Sequence, residues 1–196
     1  FRSRTGTRVC PPARWNQLDP DILRWRFAGS LDPKLISDLI DLRRIIEPAA
    51  AELAALRATP EMLQALWATL EEMGQESPLD AHIEADLRFH LGILEAAGNE
   101  LLCGLRHSLE GALCIAIGFS THSKEDGLRS MQLHREVLVA IAAHAPERAR
   151  HAMKLLVDSW AHDCLRILQG LALDAAASPA AADSRPAPQA TPAAHG

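Results

Sequence analysis

The chain has 196 residues, of which 48% are hydrophobic and 23% are charged, and its formal net charge is -5. This composition is typical of a globular protein of one domain with appendages, and its core must be aliphatic because aromatic residues make up only 4%. The mildly acidic balance excludes a broad positive field that would attract nucleic acid by itself.

The first predicted element is a short helix. Residues 1–18 form a basic, proline-containing lead-in, and Asp19-Pro20 follows it. Aspartate caps a helix and proline fits its first turn, so this dipeptide predicts a helix start. The helix is expected to end at Gly29.

A long amphipathic helix is predicted next. Asp32-Pro33 repeats the start signal, and apolar residues then recur at steps of three and four up to about Ala58. Pro48 lies inside this pattern and predicts a kink or a break near residues 45–47.

The rest of the chain is also helical in pattern. Further helices are expected over residues 60–73, 78–98, 99–120, 130–144 and 146–171. No stretch beyond residues 1–9 alternates as a strand does, and residues 175–196 are rich in alanine and proline, which predicts disorder. The predicted fold is therefore all-α, an antiparallel bundle of six or seven helices.

The cysteines and the hydropathy indicate a cellular compartment. Four cysteines are scattered without a zinc-binding spacing, and no signal peptide is evident, so they are expected to be reduced thiols in the cytoplasm. No apolar run approaches the roughly 18 residues of a membrane span.

Polar residues interrupt three helix faces that otherwise have a buried pattern. They are Arg43 with Glu47, the segment from Asp86 to His90, and His134. Residues at i and i+4 are neighbours on a helix, so Asp86 and His90 either share an ion or form an ordinary solvated pair. Spacing alone leaves both interpretations open.

The order of three motifs carries a family resemblance. The chain contains DLRRIIEPAAAELAA, then ADLRFHLGILEAAGNELL, then LHREVLVAIAAHAPERARHAM. Across residues 32–168 this order resembles the effector-binding (FCD) domain of GntR-type transcription regulators of the FadR branch. The resemblance implies a homodimer that senses a small ligand.

The lead-in adds to the resemblance. RTGTRVCPP is similar to the end of the winged-helix β-hairpin in these regulators, and RWNQLDPDILRW is similar to the linker of sugar-acid-responsive members. The expected organisation is a wing remnant and linker over 1–18, an effector-binding and dimerisation domain over 19–174, and a disordered tail over 175–196. Operator DNA would be bound only through a winged-helix domain upstream.

The resemblance implies a divalent metal site formed by Asp86, His90 and His134. Many members have a further histidine three residues after a methionine of the last helix, and this chain has Leu156 there, after Met153. Two histidines and one carboxylate still hold a metal with open positions, here zinc, nickel or manganese. Affinity is expected to be lower than with three histidines, so the metal is an open question at this stage.

The resemblance also implies effector-binding residues for a small carboxylate, a sugar acid or hydroxy acid. Arg43 matches the Arg of the family's first long helix, and guanidinium pairs with carboxylate through two donors. Glu47 is expected to orient Arg43, and Asn99 has helix capping as its alternative role. The complete set of expected effector residues is Arg43, Glu47, Arg88, Asn99, Thr121 and Ser159.

The expected function is the ligand-sensing part of a bacterial transcription regulator, a repressor of sugar-acid or hydroxy-acid catabolism rather than an enzyme. A metal-dependent enzyme that uses the Asp/His/His set is one alternative, and a helical interaction module is the other. The adjacent His162, Asp163 and Cys164 are the only hint of a Cys/His pair. Neighbouring residues on a helix point in different directions, so this hint is weak.

Overall fold

The computed structural model describes residues 8–29, 32–75, 78–119 and 124–177, and all regular structure in these ranges is helical. The prediction of an all-α fold is confirmed. A short 3-10 turn, Pro12–Arg14, precedes eight α-helices in the described ranges. They are α1 (Pro20–Gly29), α2 (Pro33–Arg57), α3 (Pro60–Met73), α4 (Leu79–Ala96), α5 (Glu100–Gly104), α6 (Arg106–Phe119), α7 (Lys124–Ala142) and α8 (Pro146–Ala177).

The capping signals act as the sequence predicts. The Asp32 carboxylate accepts a hydrogen bond from the backbone N–H of Lys34 at 2.9 Å, and the Thr59 hydroxyl accepts one from Met62 at 3.3 Å. Each cap supplies an acceptor for an N–H that the first turn of a helix leaves without a partner. Both long helices of the first half therefore begin at the predicted residues.

Four features differ from the sequence pattern, the first being the start of α7 at Lys124, six residues before the predicted residue 130. Helix α2 runs through Pro48 as one element, and the single helix expected over 99–120 is divided at Leu105 into α5 and α6. This division gives one helix more than predicted. Helix α8 reaches Ala177, so its last turn lies in the segment that composition predicts to be disordered. The predicted wing remnant lies mostly outside the described residues, and Arg8 and Val9 are irregular.

Helices α2 and α8 form the central antiparallel pair. Arg44 contacts Asp158 at 2.8 Å, and farther along α2 Glu52 contacts Arg150 at 3.1 Å, so the chain directions are opposed. Between the two helices the packing uses small residues, which permit close approach of the backbones. The fully buried alanines of α2 are Ala50, Ala51, Ala54 and Ala55.

Helix α4 lies parallel to α2 and is joined to it at the C-terminal end. Arg57 donates a hydrogen bond to the carbonyl of Ala97 at 2.9 Å, which satisfies an acceptor that the end of α4 leaves open. Gly98 follows with a positive φ of 58°, a conformation that glycine adopts without steric cost. The chain therefore reverses into α5 directly beneath Arg57.

An aliphatic core surrounds one aromatic ring. Phe89 of α4 is completely buried and belongs to a large cluster of mainly aliphatic side chains. Burial of each such side chain contributes about 1.5–3 kcal/mol. In the described ranges no helix is both long enough and apolar enough to cross a bilayer.

We expect Gly98→Ala to lower the free energy of unfolding by about 1 kcal/mol, because an L side chain is strained at positive φ and a methyl group there would lie 3.3 Å from Arg57. Gly127→Ala is the matched control, since Gly127 lies in α7 with open space around it. That change should be neutral or stabilising by up to about 1 kcal/mol. Urea denaturation measures both, and an unchanged midpoint in Gly98→Ala would contradict the strain argument.

Candidate functional site

Among the described residues, five polar side chains are buried, and they form one continuous cluster. They are Arg43 and Glu47 of α2, Asp86 and His90 of α4, and His134 of α7. These are the residues that the sequence pattern singled out. Buried charges in a small domain require partners, so their mutual contacts define the site.

The two histidines converge on one carboxylate oxygen. Nε2 of His90 lies 3.1 Å from Oδ1 of Asp86, and Nε2 of His134 lies 3.2 Å from the same atom. The three potential ligand atoms lie within 4.8 Å of one another. Phe89 packs edge-on against both imidazoles, with ring centroids 5.8 and 5.1 Å away, and restricts their orientation.

The tautomer of His134 makes this arrangement suited to a cation. Its Nδ1 lies 2.8 Å from the backbone carbonyl of Ser130, and a carbonyl only accepts, so Nδ1 carries a proton. In a neutral ring Nε2 then presents a lone pair to the Asp86 carboxylate. Two facing acceptors repel unless a proton or a metal ion lies between them. Metal-bound histidines have this same backing, so Asp86, His90 and His134 fit a divalent ion.

Glu47 contacts both Arg43 and His90. Its carboxylate accepts a hydrogen bond from Nε of Arg43 at 2.5 Å. Nδ1 of His90 lies 2.7 Å from Oε2 of Glu47, but the approach lacks hydrogen-bond alignment, so this contact is mainly electrostatic. Nη2 of Arg43 also lies 3.3 Å from Nε2 of His90.

These contacts shift the ionisation of the cluster. Burial opposes the charged form of each group, but the charges of Arg43 and His90 hold the pKa of Glu47 at about 2. Burial likewise lowers the pKa of His90, and the carboxylates of Glu47 and Asp86 outweigh this and raise it to about 9. Burial raises the pKa of Asp86, yet His134 and His90 keep it well below its usual range. Both carboxylates are therefore charged at neutral pH.

A small cavity adjoins the cluster. Its volume of about 20 Å³ is room for roughly one water molecule. Four helices contribute to its wall. The lining residues are Arg43, Asp86, His90, Ser130, Leu133, His134, Leu156, Ser159, Trp160 and Asp163.

Arg43 brings an unsatisfied donor to this cavity. Its side chain is 4% exposed, and its Nη1 has no hydrogen-bond partner among the residues that the structure describes. The guanidinium carbon lies 4.4 Å from the centre of the Trp160 ring, and the indole N–H of Trp160 donates to the carbonyl of Ala116 at 2.9 Å. Glu47 and Trp160 thus fix the guanidinium while one of its nitrogens remains available for an anion.

The structure separates the other residues of the expected site. Leu156 and Ser159 line the cavity beside the metal cluster. Arg88 is about half exposed and pairs with Glu72 at 2.5 Å, so it does not contact the cavity. Asn99 caps α5 by accepting hydrogen bonds from the N–H groups of Leu101 and Leu102. Thr121 lies outside the described residues.

Sequence reasoning missed four lining residues: the polar Asp163 and Ser130, and the apolar Trp160 and Leu133. Helical spacing could have identified Asp163, because it is four residues after Ser159 and seven after Leu156 and therefore lies on the same helix face. Ser130 is likewise four residues before His134. The hint of a Cys/His pair receives no support, since His162 is exposed whereas Cys164 is fully buried, with burial raising the pKa of its thiol to about 12.

Comparisons with known proteins agree with the motif order. The FCD domain family matches residues 38–159. The galactonate operon transcriptional repressor of Escherichia coli (strain K12) is 30% identical over 79% of this chain and 68% of its own length. A putative L-lactate dehydrogenase operon regulatory protein of the same organism is 31% identical over 62% of this chain and 48% of its own length.

A solved structure is also similar. The protein titled Streptococcus agalactiae GntR matches with a TM-score of 0.57 and 27% identity, over 71% of this chain and 65% of the other. The chain thus spans about half to two thirds of the length of these relatives. The relatives named here are transcription regulators or carry a regulator's title.

We expect Glu47→Gln to lower the free energy of unfolding by about 3–5 kcal/mol, because it leaves the buried charge of Arg43 without its counter-ion. Glu52→Gln on the same helix removes only a surface pair with Arg150 and should cost less than about 1 kcal/mol. Equal effects of the two substitutions in chemical denaturation would show that the buried Arg43–Glu47 pair stabilises the fold no more than the surface pair does.

Alkylation by iodoacetamide at pH 8 should distinguish the cysteines. Cys10 and Cys114 are exposed and are expected to react first, whereas buried Cys164 stays protected until the protein unfolds. Mass spectrometry of timed digests measures each site, and addition of urea provides the control for full reactivity. Early labelling of Cys164 would revive the nucleophile hypothesis.

Proposed function

This chain belongs to the FCD domain family, and we propose that it senses a small hydroxy acid, either a sugar acid or a lactate-like acid. Binding of the acid would change the operator affinity of a transcription regulator, the class to which the named relatives belong. One observation carries the proposal: a buried guanidinium with a free N–H shares a cavity with the Asp86, His90 and His134 cluster. Operator contact belongs to a winged-helix domain outside these residues, and the active form is a homodimer.

The chain's residues suit the two functional groups of a hydroxy acid. Asp86, His90 and His134 would hold a divalent ion, which would supply a Lewis acid for the carboxylate and hydroxyl oxygens of the acid. Arg43 presents a charged donor for the same carboxylate. Glu47 keeps Arg43 in position, and the acid is oriented by Arg43 even when no metal is bound.

Leu156 affects how much of the binding would depend on the metal ion and how much on Arg43. It lines the cavity, and the family resemblance implies a further histidine at this position. With one ligand fewer, metal affinity falls and a larger share of effector binding passes to Arg43. Zinc and nickel, which accept imidazole ligands readily, should bind better than manganese.

Effector entry requires a change in structure. The cavity holds roughly one water molecule, whereas small-molecule pockets usually occupy about 300–1,000 Å³. Binding therefore requires a more open arrangement of the helices around the cavity. An acid that favours the open arrangement shifts the population toward it by its difference in affinity. By analogy with the named galactonate repressor, the shift would relieve repression.

The test is a thermal-shift titration of chelator-treated protein with zinc or nickel, each alone and together with D-galactonate or L-lactate. A metal that binds the native state should raise the midpoint in proportion to its occupancy, and the acid should raise it further. Asp86→Ala should abolish the metal-dependent shift. Asp80→Ala, an exposed carboxylate of the same helix, is the control and should retain it.

The outcomes separate the two means of binding. A shift by acid alone that survives in Asp86→Ala and disappears in Arg43→Lys would support a metal-free site, because lysine retains the charge without the two-pronged geometry. Absence of any shift with both metals and both acids would overturn the proposed function.

A further inference from the structure

The wall of the cavity contributed by α8 carries an unpaired carboxylate. Asp163 is partly buried and lines the cavity, and no ion pair or side-chain hydrogen bond joins it to another residue of the part of the chain that the structure describes. It lies two helical turns after Leu156 and one after Ser159, on the same face of α8. Asp163 is not part of the Asp86, His90 and His134 cluster, whose atoms lie close together without it.

The same cavity therefore contains an unpaired donor and an unpaired acceptor. The donor is Nη1 of Arg43, which is buried and without a partner, and the acceptor is the carboxylate of Asp163. Arg43 forms an ion pair with Glu47 and, among the described residues, none with Asp163. Arg43 is held back by Glu47 and by the face of Trp160. A molecule with an acceptor at one end and a donor at the other would satisfy both.

We propose that Asp163 determines effector class: the cavity selects monocarboxylates with a hydroxyl group at the far end, and it rejects the corresponding dicarboxylates. This inference rests on the proposed function. Arg43 takes the carboxylate of the acid, and Asp163 accepts a hydrogen bond from its distal hydroxyl. Ser159, one turn before Asp163, adds a hydroxyl that donates or accepts beside it.

Charge is the physical basis of the rejection. A second carboxylate at the far end of the acid would face the carboxylate of Asp163 in a space with little water, where like charges repel strongly. A hydroxyl group at that position meets an acceptor instead. We expect a preference of at least about tenfold for the monocarboxylate, the order that a lost charge-assisted hydrogen bond and an added repulsion produce together.

Two matched pairs of acids test this inference. D-galactonate and galactarate differ only at the sixth carbon, where a CH₂OH group replaces a carboxylate, and glycerate and tartronate differ in the same way at the third carbon. Affinities of all four are measured by isothermal titration calorimetry on the 196-residue chain, with and without zinc. The wild type should prefer the monocarboxylate of the pair whose length fits.

Asp163→Asn should reduce that preference by about tenfold, mainly through tighter binding of the dicarboxylate. Asparagine has nearly the same shape as aspartate, and because Asp163 has no ion-pair partner among the described residues, stability and zinc affinity should not change. Asp158→Asn is the control on the same helix, since Asp158 pairs with Arg44 and Lys154 away from the cavity. It should leave the preference intact.

The results distinguish two failures. Equal binding of both members of a pair to the wild type, or an unchanged preference in Asp163→Asn, would overturn this inference alone. Absence of binding by all four acids would overturn the hydroxy-acid function together with the inference. A loss of zinc affinity in Asp163→Asn would assign Asp163 to the metal site and overturn its role in selectivity.

Discussion

The charge of Arg43 in the interior is the constraint on which the rest of the site depends. A guanidinium does not lose its proton in a protein, so it cannot respond to burial by becoming neutral as a carboxylate or an imidazole can. Glu47 must therefore be ionised beside it, and the ionised Glu47 in turn attracts His90. Through His90 the influence of Arg43 reaches Asp86 and His134, so one fixed charge orders five side chains from three helices.

Much of this arrangement follows from local spacing. Both pairs within a helix, Arg43 with Glu47 and Asp86 with His90, are separated by four residues, and that separation alone makes them neighbours. The helix starts at Asp32 and Thr59 are equally local, because a cap acts within one turn. The place of His134 required the family resemblance, since no local rule brings α7 against α4.

The parts that sequence reasoning missed depend on packing between helices. Which residues of α8 line the cavity depends on the rotation of α8 about its axis, and that rotation depends on how α8 packs against α2 and α7. Asp163 and Trp160 therefore could not be chosen over His162 or Asp158 from spacing alone. The division at Leu105 is similar, because the apolar periodicity continues through it.

The unbroken course of α2 has a mechanical consequence. Arg57 joins one end of this helix to the end of α4 by its hydrogen bond with Ala97, whereas Pro33 begins the helix at the other end. Arg43 lies between them, about 21 Å from Arg57 and about 15 Å from Pro33 at 1.5 Å per residue. If the helix pivots at Arg57 as a rigid rod, Pro33 moves about 1.7 times as far as Arg43. Under that motion, a displacement at the cavity is amplified by the same factor at the N-terminal end of α2.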